Sequence, residues 1–463
     1  MTIAKTCHWF LLLTSALIFG GGCAGLPNVT QQIAGTPNAQ QLRQIVSSKG
    51  LLSPQQSQKI MVHLQQSVEP TDILGRHSVV VESVTESPLT KGNKVTLLAD
   101  GEATYAAMFN ALEKAQDHIN IESYIVEDDE VGRKFADLLL RKQAEGVQVN
   151  LSYDSVGSMY TPAVFFQRLR DGGIRVVEFN PINPLQARGE WRLTHRNHRK
   201  MLLADGKVAI TGGINISKVY SSSPFKRKTN EPAPIHWRDT DVQIEGPAVA
   251  ELQRLFLATW QKQQGLPLPA RDYFPDLEES GDALVRVVGS TPGETNRIPF
   301  VMYVSAIVFA ERSIHLTSSY FIPDDQILKA LADAAARGVD VKIILPGSSD
   351  SPWPLYAQRH HYAALLHSGV QLYEHETSLL HAKTAVIDQV WSTVGSTNLD
   401  FLSLLNNDEV NAVILSREFA TEMEAMFAGD LANSRQIQRD EWDSRPWLPR
   451  IRAWFVNLFI RWL

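Results

Sequence analysis

Two rhythms of apolar and polar positions run through this chain, and their succession occurs twice. An apolar helical stretch leads into a strand at Ala115-Gln-Asp-His-Ile-Asn-Ile-Glu-Ser-Tyr124, and again at Ala310-Glu-Arg-Ser-Ile-His-Leu-Thr-Ser-Ser-Tyr320. An amphipathic helix follows in each case. It stops at Gly146-Val147 and at Gly338-Val339, where glycine suits the left-handed residue that closes a helix. The next strands are Val147-Gln-Val-Asn-Leu and Val339-Asp-Val-Lys-Ile-Ile-Leu. A second helix in each half ends at Gly172-Gly173 or Ser368-Gly369, before Val176-Val177-Glu178 or Leu372-Tyr373-Glu374. Strand and helix alternate in both halves, which predicts an α/β fold with mixed sheets. Residues 264–280, with Pro267, Pro269 and Pro275, read as the linker between halves. Before the first repeat, the Gln-rich stretch from Leu26 to Glu82 carries helical pattern near 40–46 and 54–67. It reads as a spacer or a surface helix pair.

The second rhythm carries a motif. His198-Arg199-Lys200 is followed, after four intervening residues, by Asp205, and His381-Ala382-Lys383, again after four, by Asp388. Each motif leads to a small-residue turn and an Asn at the same offset: Gly212-Gly213-Ile214-Asn215 and Gly395-Ser396-Thr397-Asn398. Two copies with one long spacing point to an internal duplication that carries chemistry. In a strand, residues two apart share a face, so each imidazole should stand beside an ammonium. The Asp has the opposite parity and opens a turn. Asp205 and Asp388 are therefore expected to fix site geometry rather than move protons. Asn215 and Asn398 each offer an amide donor to a phosphate. Two such strands meeting across a pseudo-twofold axis would enclose a phosphoryl group, with an imidazole on each side in line for displacement.

These residues resemble the phospholipase D superfamily and, within it, the bacterial cardiolipin synthases. Further matching stretches are Gly92-Asn-Lys-Val-Thr-Leu-Leu, Ile121-Glu-Ser-Tyr-Ile-Val, His236-Trp-Arg-Asp-Thr-Asp and Ile244-Glu-Gly-Pro-Ala-Val, and the likeness covers roughly Val84 to Phe427. It implies two fused phospholipase D-type repeats, 85–265 and 266–435, each a mixed sheet flanked by helices and related by pseudo-twofold symmetry. An imidazole of this kind needs a carboxylate on Nδ1. Downstream candidates, in roles that the resemblance also implies, are Asp239 for His198 and Glu409 for His381, with Asp241 and Asp408 as close neighbours that could serve instead. His198 is expected to attack phosphorus and His381 to act as acid and base. Lys200 and Lys383 supply the positive charge that other phosphoryl-transfer enzymes take from a metal, so no metal and no other cofactor is expected. A GxxxxGK[ST] nucleotide loop is absent from the sequence. The paired His360-His361 does not converge on one ion and reads as structural.

Length and charge refine the picture. A chain of 463 residues exceeds one ordinary core. Its net charge of −6 argues against a nucleic-acid partner. Basic residues nevertheless gather at Arg192, His195, Arg196, Arg199 and Lys200, and again at Lys226-Arg227-Lys228. Glu178 and Glu374 lie 196 positions apart, but His198 and His381 lie 183 apart. The first repeat thus holds 13 extra residues between Pro181 and Thr194, placed to line a substrate entrance.

The ends suggest a membrane. Lys5, an apolar run from Trp9 to Phe19 and Gly20-Gly21-Gly22-Cys23 read as a signal segment over 1–22, with Cys23 as a candidate for lipidation in a bacterial cell envelope. The alternatives are a plain cleaved signal and an uncleaved anchor. Cys7 and Cys23 are the two cysteines of the chain, which leaves no Cys-based metal cluster. At the other end, Arg450 to Leu463 within 436–463 reads as an interfacial amphipathic helix with Trp454 and Trp462; the alternative is a helix packed on the core. The expected substrates are phospholipids, phosphatidylglycerol first, at a membrane surface. Competing readings are a phospholipase D hydrolase, a silent membrane-binding module and, more weakly, a nuclease.

Overall fold

A computed structural model describes residues 25–35, 44–187, 191–221, 236–349 and 352–459. The signal segment, Cys23 and the run Lys226 to Lys228 lie outside them. Strands β1 (Ile45–Ser47) and β2 (Gly50–Leu51) form a small hairpin, and β1 runs parallel beside β3 (Leu89–Leu98). The first lobe continues through β4 (His118–Ser123), β5 (Gln148–Asp154), β6 (Arg175–Phe179), β7 (Arg196–Asn197), β8 (Met201–Ala204), β9 (Val208–Gly212), β10 (Trp237–Arg238) and β11 (Asp241–Glu245). Its sheet runs β3-β11-β9-β8-β4-β5-β6, antiparallel as far as β4 and parallel beyond it.

The second lobe holds β12 (Ala283–Ser290), β13 (Ser313–Ser318), β14 (Asp340–Pro346), β15 (Gln371–His375), β16 (Leu379–Leu380), β17 (Lys383–Ile387), β18 (Trp391–Gly395), β19 (Asn407–Leu415) and β20 (Ser434–Gln436). Its sheet runs β12-β19-β18-β17-β13-β14-β15, with the same sense at every step as the first. The duplication read from the sequence is therefore a duplication of the fold. Strand β3 also pairs with β12, so one strand belongs to both sheets.

Local chemistry explains where the helices start and stop. Asp100, Asp129 and Asp324 accept backbone N–H groups at the starts of helices Gly101–Lys114, Glu130–Ala144 and Asp325–Ala336, satisfying donors that have no intrahelical partner. Gly146 and Gly338 take φ of 93° and 90°, the left-handed closure their positions predicted. Among the described residues three large apolar cores result, with two small clusters beside them. One lies under the outer helices of each lobe. The third lies between the sheets, where helices Val249–Lys262 and Arg417–Ala432 bring Phe256 and Phe419 against Val242, Val285 and Val394.

The stretch expected to be a spacer or a surface helix pair forms the helix Pro54–Gln66, but a strand, Ile45–Ser47, stands where the helical pattern near 40–46 ends, and the stretch packs into the second lobe's core. Val29, Ile45, Met61, Ile73, Leu74, Val80 and Val81 are buried there with Phe300 and Met302. Its glutamine-rich composition hid a sparse apolar stripe, and the buried helix Ile298–Phe309 supplies the partner surface.

Candidate active site

Both motifs open where a strand begins. His198 and Lys200 precede β8, and His381 precedes β17, which starts at Lys383. At the far end of each strand, Asp205 and Asp388 turn the chain with φ of 53° and 52°. Asp205 accepts backbone N–H groups from Gln116, Asp117 and His118. Asp388 accepts those of Glu311, Arg312 and Ser313, and the Thr71 hydroxyl as well. Both aspartates hold a hairpin to the neighbouring strand, in keeping with the turn role read from their parity.

The lobes meet through short parallel bridges. Strand β7 pairs with β19, and the His198 N–H donates to the Asp408 carbonyl. Strand β16 pairs with β10, and the His381 N–H donates to the Arg238 carbonyl. Each histidine is thereby stitched to the segment that carries the other lobe's carboxylate. The pairing expected from sequence is crossed as a result. His198 Nδ1 meets Glu409 at 3.0 Å, and His381 Nδ1 meets Asp239 at 2.6 Å. Proximity along the chain had suggested partners within one repeat; the bridges between lobes override it. Asp408 instead faces His195 at 3.1 Å. Asp241 accepts from the Ile214 N–H.

Each carboxylate rests on its own lobe's small-residue turn. A β-carbon on Gly213 would come within 2.1 Å of Asp239 Oδ1, so glycine is what lets that carboxylate in. The matching position in the second lobe is Ser396, whose hydroxyl donates to Glu409 at 2.5 Å. The shorter acid sits against glycine and the longer one against serine. Both histidine–carboxylate bonds use Nδ1, which leaves Nε2 of each ring to meet a substrate.

Both lysines are buried, and each Nζ donates to the carbonyl of its own motif histidine. Among the described residues neither ammonium is in an ion pair. Burial is the largest influence on each, and together with the other lysine it lowers Lys200 to about 7; Lys383 is lowered to about 8 by burial. Burial also lowers both histidines, His381 to about 4, and each histidine feels the opposite lobe's lysine. The carboxylates go the other way. Despite burial, Lys383 and His381 hold Asp239 below the usual range, and His198 and Lys200 do the same for Glu409. Asp239 and Glu409 pull both lysines back up in part, so the buried cluster holds two ammonium groups against two carboxylates, with no carboxylate in ion-pair contact with either ammonium among the described residues.

Asn398 accepts from the Ser319 hydroxyl. Asn215 accepts from the Ile125 N–H and donates to the Tyr220 hydroxyl, so part of its amide holds the loop. Sequence reasoning gave no role to Tyr124 and Tyr320. Tyr124 lies edge-on to His198 with ring centroids 5.0 Å apart, and Tyr320 lies edge-on to His381 at 6.3 Å. The signal was available: both tyrosines follow closely on the same strand of their repeats. The buried pair Arg238–Asp430, at 2.7 Å beside Asp239, was also missed. Its partner lies 192 residues away, beyond any local pattern.

Comparison with known proteins now decides the family. The family model described as "Cardiolipin synthase, PLD-like domain" matches residues 108–228 and 303–431. The chain belongs to this family. A cardiolipin synthase of Alkalihalophilus pseudofirmus is 33% identical over 412 residues, covering 88% of this chain and 80% of that one. Cardiolipin synthase A of Pseudomonas fluorescens is 36% identical over 361 residues, covering 76% and 72%. Among solved structures, the phosphatidylserine synthase of Haemophilus influenzae superposes with a TM-score of 0.60 over 82% of this chain and 96% of that one, at 12% identity. At that identity the likeness concerns the fold alone. As a cardiolipin synthase-like member of the phospholipase D superfamily, the chain is an enzyme, and the two matched spans fall one in each lobe.

Proposed function

We propose that this protein transfers a phosphatidyl group from one phosphatidylglycerol to another, forming cardiolipin and releasing glycerol. The observation that carries this reading is the crossed pair of histidine–carboxylate contacts, built around two buried lysines in a chain of the cardiolipin synthase family.

In the first half-reaction His198 Nε2 attacks phosphorus. The phosphorus–oxygen bond to the headgroup glycerol breaks, and His381, which takes up a proton when the anionic lipid binds beside it, gives that proton to the leaving oxygen. The enzyme then carries a phosphatidyl group on His198. In the second, His381 takes the proton from a glycerol hydroxyl of another phosphatidylglycerol. That oxygen attacks phosphorus, the phosphorus–nitrogen bond breaks, and His198 is restored. Glu409 and Asp239 hold the proton on Nδ1 throughout, while Lys200 and Lys383 face the charge on the phosphoryl oxygens.

The test is the product balance of the purified protein on phosphatidylglycerol. Cardiolipin and glycerol in equal amounts support the transfer. Phosphatidic acid with glycerol would make the protein a hydrolase and overturn it. Protein denatured in detergent at alkaline pH, where a phosphorus–nitrogen bond survives, and digested for mass spectrometry should carry the phosphatidyl group on the His198 peptide; a label on His381 would reverse the two roles.

A further inference from the structure

The C-terminal helix Trp447–Phe459 has two unlike faces. Ala453 and Val456 are buried, and Val456 packs against Ile322 and Ala357. Trp447, Leu448, Ile451, Trp454 and Phe455 are exposed, and their spacing places them along one stripe. Trp454 and Phe455 remain 54% and 56% exposed in the folded chain. Arg450 and Arg452 are exposed too, and the helix contains no acidic residue. An apolar stripe with an arginine on each flank differs from scattered surface hydrophobics.

Its position ties it to the site. Ile322, under Val456, lies two residues after Tyr320, the ring beside His381. The helix therefore lies at the carboxyl end of β13. In the first lobe the corresponding end also exposes apolar groups. Tyr124, beside His198, accepts from the Ser158 hydroxyl through its carbonyl, and the same turn carries Tyr160, 89% exposed. The extra residues of the first repeat are pinned there by Asn180, whose amide donates to the carbonyls of Arg192 and His195. They expose Leu185 and Leu193. Both lobes thus turn apolar side chains outward at the end where the motif histidines sit.

We propose that this end of the molecule docks on an anionic phospholipid bilayer, with helix Trp447–Phe459 lying in the headgroup layer and Tyr160, Leu185 and Leu193 touching it from the first lobe. The arginines meet the lipid charge while the aromatic rings enter the acyl boundary. The site then opens toward the membrane, and a lipid reaches the histidines without its chains crossing water. The inference rests on the lipid reading of the site.

Hydrogen exchange of the full-length protein tests it locally, so any attachment elsewhere in the chain does not confuse the result. With phosphatidylglycerol vesicles, amides in 447–459 should exchange at least tenfold more slowly, and phosphatidylcholine vesicles should leave them unchanged. The variant Trp454→Glu/Phe455→Glu, altered only at exposed positions, should lose that protection. It should also lose at least tenfold of its transfer rate on vesicles while keeping its rate in detergent micelles. Unchanged exchange with phosphatidylglycerol vesicles overturns the docking, as does protection that grows with protein concentration alone, which would make the stripe a contact between copies. Wild-type protein that is protected by vesicles yet makes no cardiolipin in micelles refutes the activity and leaves the docking standing.

Discussion

The two halves of the site perform one task with different parts. In one, His198 is held by a glutamate that a serine hydroxyl also grips, and the residue before that glutamate, Asp408, faces His195. In the other, His381 is held by an aspartate seated against glycine, and the residue before it is Arg238, locked to Asp430. Backbone path, strand order and motif spacing are common to both halves; carboxylate length and local charge are not. What the duplication kept is the geometry that delivers a carboxylate to Nδ1. How each carboxylate is braced was free to change, provided that side-chain length and the space beneath it changed together.

The sharpest way to break this comparison is to remove one ring at a time. His198→Ala and His381→Ala should each lower transfer by at least about a thousandfold, because each ring has a step the other cannot supply. A large loss for one ring alone would mean that the halves are not equivalent. Next come the carboxylates. Glu409→Gln and Asp239→Asn should each cost roughly 10²–10⁴ in rate by releasing the histidine tautomer. Imidazole nitrogen NMR should show Glu409→Gln altering His198 and sparing His381. The opposite pattern would refute the crossed pairing.

The braces separate the halves further. Gly213→Ala forces a β-carbon into the Asp239 carboxylate, whereas Ser396→Ala deletes one hydrogen bond to a charged acceptor. The glycine variant should lose more activity, with the serine variant down by about tenfold. For the lysines the sign is set by burial. Their pKa values lie below the ordinary one, so the unliganded protein loses its ammonium charge as pH rises through about 7 to 8. The value of kcat/KM should therefore decline above that window, and Lys200→Arg should move the decline upward. A profile flat to pH 9.5 would show that the lysine charge is not needed. Smallest in its effect on chemistry is the pair of turn aspartates. Asp388→Ala should cost about 1.5–3 kcal/mol in urea unfolding, and more than Asp205→Ala, because it also strands Thr71.

Much of this was legible in the sequence because it is local or repeated. The His–Lys pairs, the turn aspartates and the glycines that end helices all rest on backbone periodicity, and a second copy at fixed spacing confirmed each reading. What stayed hidden was set by contacts between distant segments. The choice of carboxylate for each ring depends on β7 meeting β19 and β10 meeting β16, two-residue bridges that no propensity announces. The buried role of the N-terminal stretch depends on the helix Ile298–Phe309, more than 200 positions later, offering an apolar surface to the sparse apolar stripe of a glutamine-rich segment. Tyr124 and Tyr320 were readable and were passed over, because aromatic residues at strand ends are ordinary core residues unless their register is compared across the repeats.

The exchange of carboxylates between lobes has a consequence for how this protein is made. A ribosome that has released only the amino-terminal half has produced a histidine whose acid has yet to be translated. The reagent that could cut a phosphodiester stays unarmed until the last third of the chain is in place, and any fragment cleaved between the lobes disarms both rings at once. Assembly and activation are in this design a single event.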